Sequence, residues 1–278
     1  MRHTYALLIL SACSYTPSPG EATVDTDAPV TPPPEDGPGQ PPPPDGNVVL
    51  DSPPQVTCTT SDSTLALCLE LEDSSTEVAI DGSGKQHDAA IANATATTRD
   101  VPAMSRALTL GTSSSVMIGD SPDFDLQTLT ISAWVRRTST PGFGQRYGVV
   151  DVGRKQAALA IDDDGNVVCM VRTDFDIWVG TGGATAVNEW SLVACTYDAP
   201  QLCMYVFRNG SSSPSVECGN TDGEPIDMSV NAGGTIGALF DSANQPVSKL
   251  RGDIDSIRIY GRALTENQLC TANGIAGC

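Results

Sequence analysis

Residues 128–137 read TLTISAWVRR. Leu129, Ile131, Ala133 and Val135 fall on one side of an extended chain, and Thr130, Ser132, Trp134 and Arg136 fall on the other. A side-chain period of two belongs to a β-strand with one face in a core. The run therefore predicts a half-buried strand.

The same texture continues in both directions. Upstream lie Leu65–Leu71, Ala107–Leu110 and Ser115–Ile118. Downstream lie Tyr147–Val152, Ala157–Ile161, Val167–Val171, Trp190–Tyr197, Leu202–Arg208, Val216–Cys218, Thr235–Leu239 and Asp253–Tyr260. Asp164-Gly165 and Asn209-Gly210 separate neighbouring runs with residues that accept positive φ, a hairpin signal. A short helix is expected over Leu264–Leu269, with Thr265 as N-cap and Glu266 in its first turn. Many short strands and little helical period predict an all-β fold, a two-sheet antiparallel β-sandwich of the jelly-roll kind.

Composition agrees. Only 5% of the 278 residues are aromatic, and glycine (26) and proline (20) are frequent. The formal net charge is −19. Such a surface repels phosphate backbones, which argues against a nucleic-acid partner. It suits a soluble extracellular domain, or one that takes Ca²⁺ or a basic partner.

Residues 1–13 read MRHTYALLILSAC. A short basic start and a short apolar run precede Leu10-Ser11-Ala12-Cys13. This resembles the lipobox of bacterial lipoproteins. The resemblance implies a signal peptide over 1–12, cleavage before Cys13 and a diacylglycerol on its thiol. The apolar run is shorter than the ~20 residues a spanning helix needs, so the leader is expected as a processing signal. Ser14 rather than Asp follows the cysteine. That resembles the sorting rule for the outer membrane of Gram-negative bacteria, so an exported, lipid-anchored envelope protein is expected.

Residues 13–57 form a linker. From Ser14 onward it holds 13 of the 20 prolines and neither Lys nor Arg. Pro32–Pro34 and Pro41–Pro44 favour extended polyproline II. Little apolar surface is available to offset ordering entropy, so a disordered acidic spacer is expected. The folded domain is expected over 58–278.

Setting Cys13 aside as the lipid site leaves Cys58, Cys68, Cys169, Cys195, Cys203, Cys218, Cys270 and Cys278. An even number in an exported chain reads as up to four disulfides. The absence of CxxC and the scarcity of histidine make a Cys/His zinc site a poor alternative.

Four stretches, in order, resemble the LamG-like jelly-roll domains of the concanavalin A-like lectin/glucanase superfamily. They are Asp81-Gly82-Ser83-Gly84 with His87-Asp88; Thr130–Val135; Trp190 with Val193–Asp198, Tyr205-Val206 and Asn209-Gly210; and Gly252–Leu264. The insertion of Phe207-Arg208 lengthens one hairpin arm relative to the family pattern.

Hairpin counting suggests disulfide partners. Cys195 and Cys203 are equidistant from Ala199, and a hairpin centred near Gly210 opposes Cys203 to Cys218. Parity then puts these three on one face. The expectation is two disulfides among Cys169, Cys195, Cys203 and Cys218, with Cys58, Cys68, Cys270 and Cys278 tying the two chain ends together.

The resemblance also implies a structural Ca²⁺ near the early turn and the last strands, with Asp81 and Asp255 as candidate ligands. By simple alternation Asp255 shares a face with Ile257 and Ile259, where a carboxylate needs a partner. The alternative is that Asp255 accepts backbone N–H bonds and Asp81 shapes a turn, since Ca²⁺ takes ~6–8 oxygens.

Other motifs weigh less. Arg251-Gly252-Asp253 spells RGD but opens the last strand. Asn93-Ala94-Thr95 and Asn209-Gly210-Ser211 are sequons that read as turns, and Asp162–Gly165 reads as a hairpin tip. The paired-carboxylate strand E-x-D-x-x-E of the superfamily's glucanases, a GxSxG elbow and a Walker loop are all absent from the sequence. The expectation is a non-catalytic binding or adhesion module for a glycan or a surface protein. Trp178, Trp190 and Tyr147 are its candidate sugar-stacking residues. A structural envelope protein without small ligand, and a diverged glycoside hydrolase or lyase, are the alternatives.

Overall fold

In a computed structural model, Cys58 and residues 61–72, 77–173, 177–229 and 233–278 are described. The leader, Cys13 and the Pro-rich linker lie outside the described residues. The strands are β1 (Leu65–Leu69), β2 (Val78–Ala79), β3 (Ala89–Ala92), β4 (Thr95–Arg99), β5 (Ser105–Leu110), β6 (Ser115–Ile118), β7 (Leu129–Arg137), β8 (Arg146–Val152), β9 (Ala157–Asp162), β10 (Asn166–Arg172), β11 (Ile177–Ala184), β12 (Ser191–Asp198), β13 (Gln201–Arg208), β14 (Ser215–Asn220), β15 (Gly234–Ile236), β16 (Leu239–Phe240), β17 (Pro246–Val247) and β18 (Gly252–Tyr260). Helix α1 (Glu266–Ala272) follows. Its N-cap is Thr265, as expected, and Gln268 completes a capping box that carries the helix past Leu269.

The fold is an all-β sandwich of two antiparallel sheets. One runs β14-β13-β12-β7-β18-β5-β4, with β1 paired to β18; the other runs β11-β10-β9-β8-β15-β6-β3-β2. β7 sits mid-sheet between β12 and β18. Its Leu129, Ile131, Ala133 and Val135 join the main core with Leu159, Ile161, Val167 and Val171 of the facing sheet.

The opposite face of β7 corrects the half-buried expectation. Trp134 is fully buried in a second cluster with Leu192, Phe207, Leu264, Leu269 and Ile275. The C-terminal helix and tail roof the back of the first sheet. A tryptophan on the supposedly polar face was the available signal, because so large an apolar side chain repays cover.

The disulfides are Cys58–Cys68, Cys169–Cys195, Cys203–Cys218 and Cys270–Cys278. Two do form among the four central cysteines. The other expectation is corrected: Cys58–Cys68 and Cys270–Cys278 each close a local loop and do not join the chain ends. The face assignment is corrected too. The β12–β13 turn centres between Ala199 and Pro200, so Cys203 opposes Thr196 while Cys195 opposes Met204. A shift of one residue sends Cys195 into the main core and Cys203 to the outer cluster. Cys195 thereby meets Cys169 of the facing sheet, and Cys203 meets Cys218 across the β13–β14 ladder.

A bulge in β18 likewise moves Asp255. Register shifts between Asp255 and Arg258, and Ser256 has φ 48. Ile257 and Ile259 point into the main core, while Asp255 pairs opposite Trp134 on the outer side.

Candidate ligand-binding site

Loops at one end of the sandwich border an open cavity of about 520 Å³. The β7–β8 loop supplies Thr140, Pro141, Gly142 and Gln145, and the start of β8 supplies Arg146 and Tyr147. The segment entering β18 supplies Ser248, Lys249 and Arg251, and Thr112 comes from the β5–β6 turn.

These loops are braced from below. Arg137, buried at the end of β7, donates to Thr185 Oγ1 and O, and its Nη1 reaches Thr140 Oγ1 at 3.1 Å. Burial pushes this guanidinium below its ordinary pKa, with Tyr147 and Asp162 pulling it back. Gly165, at φ +88, leaves the room it needs, since a Cβ there would stand 2.4 Å from Arg137 Nη2. The Tyr147 hydroxyl meets Ser139 Oγ at 2.7 Å and donates to Thr140 O at 3.3 Å. On the other wall, Thr138 N and Oγ1 both donate to Arg251 O. Gly148 N donates to Ser248 O at 2.7 Å. A wall held by backbone bonds to a sheet is a preorganised one.

The side chains at the rim are free where the backbone is tied. Phe143, at the tip of the β7–β8 loop, is 99% exposed. Among the described residues, Lys249 and Arg251 have no side-chain hydrogen bond or ion pair, and Arg146 reaches only Met170 Sδ at 3.5 Å. The nearby acidic hairpin tip is occupied. Asp162 accepts from Asp164 N, Asn166 N and Asn166 Nδ2, and Asp163 accepts from Gly144 N. A second cavity, about 600 Å³, lies beside Tyr260 and α1. Its cation is already satisfied, because Arg262 donates to Asp62, Thr64 and Gln268.

Of the expected stacking residues, Tyr147 reaches the cavity wall but is buried, its hydroxyl used as a brace. Trp190 is corrected. It is 2% exposed, packed in the outer cluster with the Arg136 guanidinium 5.0 Å above its ring. Trp178 stands on β11 across from Val171, a core residue, and is half-buried with its indole N–H enclosed. Phe143 was missed. A single aromatic between two glycines in a turn has no period to betray it, although a large apolar residue in Pro-Gly-Phe-Gly was itself a signal.

The candidate calcium ligands are engaged by donors. Asp81 Oδ1 accepts from Cys68 N and Ser83 N, and Oδ2 accepts from Ser83 Oγ and His87 N. Asp255 Oδ2 accepts from Arg99 Nε and Ser105 Oγ, each at 2.7 Å, and Oδ1 accepts from Ser256 N. They share no hydrogen-bond partner, and their lone pairs face N–H and O–H groups. That donor shell does not fit a cation needing a convergent oxygen cage. The RGD motif is also closed: Asp253 is buried and ion-paired with Arg136 at 2.7 Å.

A family model of the concanavalin A-like lectin/glucanases superfamily, of the laminin G type, matches residues 110–270. The chain belongs to this superfamily. The matched span begins after the Asp81–Asp88 turn and includes both long walls of the cavity. A search of curated proteins finds no match. Among solved structures, this superfamily member resembles domain 4 of AbnA, an extracellular GH43 arabinanase from Geobacillus stearothermophilus solved with arabinotriose. Identity is 15% and the TM-score 0.55, over 76% of this chain and 98% of that one. It also resembles the binding domain of botulinum neurotoxin DC in complex with SialylT, at 14% identity and TM-score 0.56 over 77% and 52%. The sialidase of Trypanosoma rangeli with the inhibitor DANA follows at 16% and 0.51 over 74% and 32%. The chain thus spans about half the length of the toxin structure and a third of the sialidase. At these identities the likeness is one of fold.

Proposed function

We propose that this chain is an exported, lipid-anchored envelope protein whose sandwich is a non-catalytic carbohydrate-binding module, with its ligand in the cavity between Thr140–Tyr147 and Ser248–Arg251. The observation that carries the reading is the cavity, whose volume suits a saccharide, with Phe143, 99% exposed, on the loop that forms one of its walls. A sugar's apolar face against the ring, with hydroxyls bonded to Thr140 and Gln145, is how concave sites take carbohydrate. Two solved structures of this fold hold arabinotriose and SialylT, which supports the same class.

The cavity lining holds neither Asp nor Glu. Glycoside hydrolysis ordinarily needs two carboxylates astride the scissile bond, so binding is the chemistry this lining suits. The anchor rests on the leader: Cys13 in Leu-Ser-Ala-Cys supports lipidation. A surface protein remains the other partner class.

A glycan array with the full chain carrying Cys13→Ser tests the module. Binding to a saccharide set, lost in Phe143→Ala without change in thermal unfolding, is the expected result. Binding unaffected by Phe143→Ala moves the ligand elsewhere, and hydrolysis of a bound glycan overturns the non-catalytic part. Incorporation of labelled palmitate, abolished by Cys13→Ala, tests the anchor.

A further inference from the structure

We infer that the saccharide is anionic, an acidic oligosaccharide carrying carboxylate or sulfate groups that meet Arg146, Lys249 and Arg251. This inference rests on the proposed carbohydrate site and specifies its ligand.

The chain has 34 acidic and 15 basic residues. Three of those basic residues nonetheless converge on one cavity whose lining contains no acid. Elsewhere Arg99, Arg136, Arg258 and Arg262 each hold a carboxylate. Lys249 and Arg251 hold none among the described residues, and Arg146 is not ion-paired. Of the neighbouring acids, Asp162 and Asp163 accept backbone N–H groups of their own turn and of Gly144, and neither is ion-paired with these cations. Unpaired cations on a braced wall are donors open to an acceptor from outside.

The donor types suit oxyanions. Two guanidinium groups present planar forks, which match carboxylate and sulfate oxygens two at a time, and the ammonium adds a mobile point charge. Phe143, exposed beside the lining residue Gly142, offers an apolar platform that a simple anion site would not need. Together they describe a ligand with an apolar ring face and a charged edge, which is an acidic sugar. The global charge of −19 does not forbid this. At physiological salt, fields fade over about 8 Å, so the local cations dominate at contact.

The test uses the full Cys13→Ser chain, titrated by calorimetry with oligogalacturonate for carboxylate, dextran sulfate for sulfate, and neutral cello- and arabino-oligosaccharides. Acidic ligands are expected to bind, with affinity falling about tenfold between low and high salt. Lys249→Gln/Arg251→Gln is expected to weaken them by roughly ten- to a hundredfold, with unchanged thermal unfolding. Arg208→Gln, an exposed cation paired with Glu189 and outside the cavity lining, is the single-charge control for Arg251→Gln alone and should bind normally. The preferred acid arm identifies the anion. Equal, salt-insensitive binding of neutral sugars overturns the anionic inference and leaves the carbohydrate module standing. Equal loss in Arg208→Gln reduces the effect to bulk charge and also overturns it. If no saccharide binds in any arm, both readings fall.

Discussion

The Arg99 Nε–H donates to the Asp255 carboxylate at 2.7 Å, with the guanidinium 4.8 Å above the Trp134 ring. The pair clamps β4 to β18 across β5, and Ser105 Oγ donates a second hydrogen bond to the same carboxylate oxygen. Both groups are buried, so neither has water to fall back on. Arg99→Met is expected to destabilise the domain by about 3–5 kcal/mol, because it strands a carboxylate. Arg99→Met with Asp255→Leu should recover part of that loss. Denaturant unfolding of the two single variants and the double variant reads the coupling, and strictly additive costs would dissolve it.

Cys169–Cys195 is the bridge that spans the two sheets through the main core. It also closes the longest loop of the four, 26 residues against 15, 10 and 8. Loop entropy assigns it roughly 3.5 kcal/mol, against about 2.5 for Cys270–Cys278. Replacing Cys169 and Cys195 by alanine should therefore lower the melting temperature most among paired replacements. Peptide mapping without reduction should recover this link, and a Cys195–Cys203 peptide would contradict the register.

Asp151 is enclosed on β8 and accepts the backbone N–H groups of Phe240 and Lys155. Burial nevertheless pushes its pKa up to about 6. A carboxyl raised in the folded state contributes stability below its unfolded value and loses it as pH climbs. Unfolding free energy should thus fall between about pH 4 and pH 6.5, by on the order of 1–3 kcal/mol. Asp255, pushed the same way by burial and opposed by Arg99, adds to this slope. Asp123 is held below the ordinary range, chiefly by its hydrogen bond with His87, so its effect lies at lower pH. Asp151→Asn should flatten the slope, and an unaltered pH profile would count against the assignment.

Gly148 touches the backbone of the Ala238–Leu239 segment so closely that a Cβ would lie 2.1 Å from Ala238 C. The clash is with main chain, which cannot rotate aside. Gly148→Ala should force that segment off the sheet, destabilise the domain by a few kcal/mol, and loosen the Ser248–Lys249 wall that Gly148 N ties down. A melting temperature within a degree of the parent would show that the segment yields freely.

Sequence alone determined the strand inventory near the core, the two-layer class and the N-cap at Thr265. Those features follow from period two, turn residues and local side-chain bonding, all of which act within a few positions. β11 escaped because Gly180, Gly182 and Gly183 erase alternation, and only their packing against Met204 and Ser215 across the sandwich explains them. The tertiary structure alone decided where each cysteine and Asp255 points. A one-residue change in turn centre, or one bulged serine, inverts every side chain beyond it. The same holds for the cavity. Arg146 of β8 lies about a hundred positions from Lys249 and Arg251 in the chain. Only the closing of β8 against the strand entry to β18 brings them to one rim.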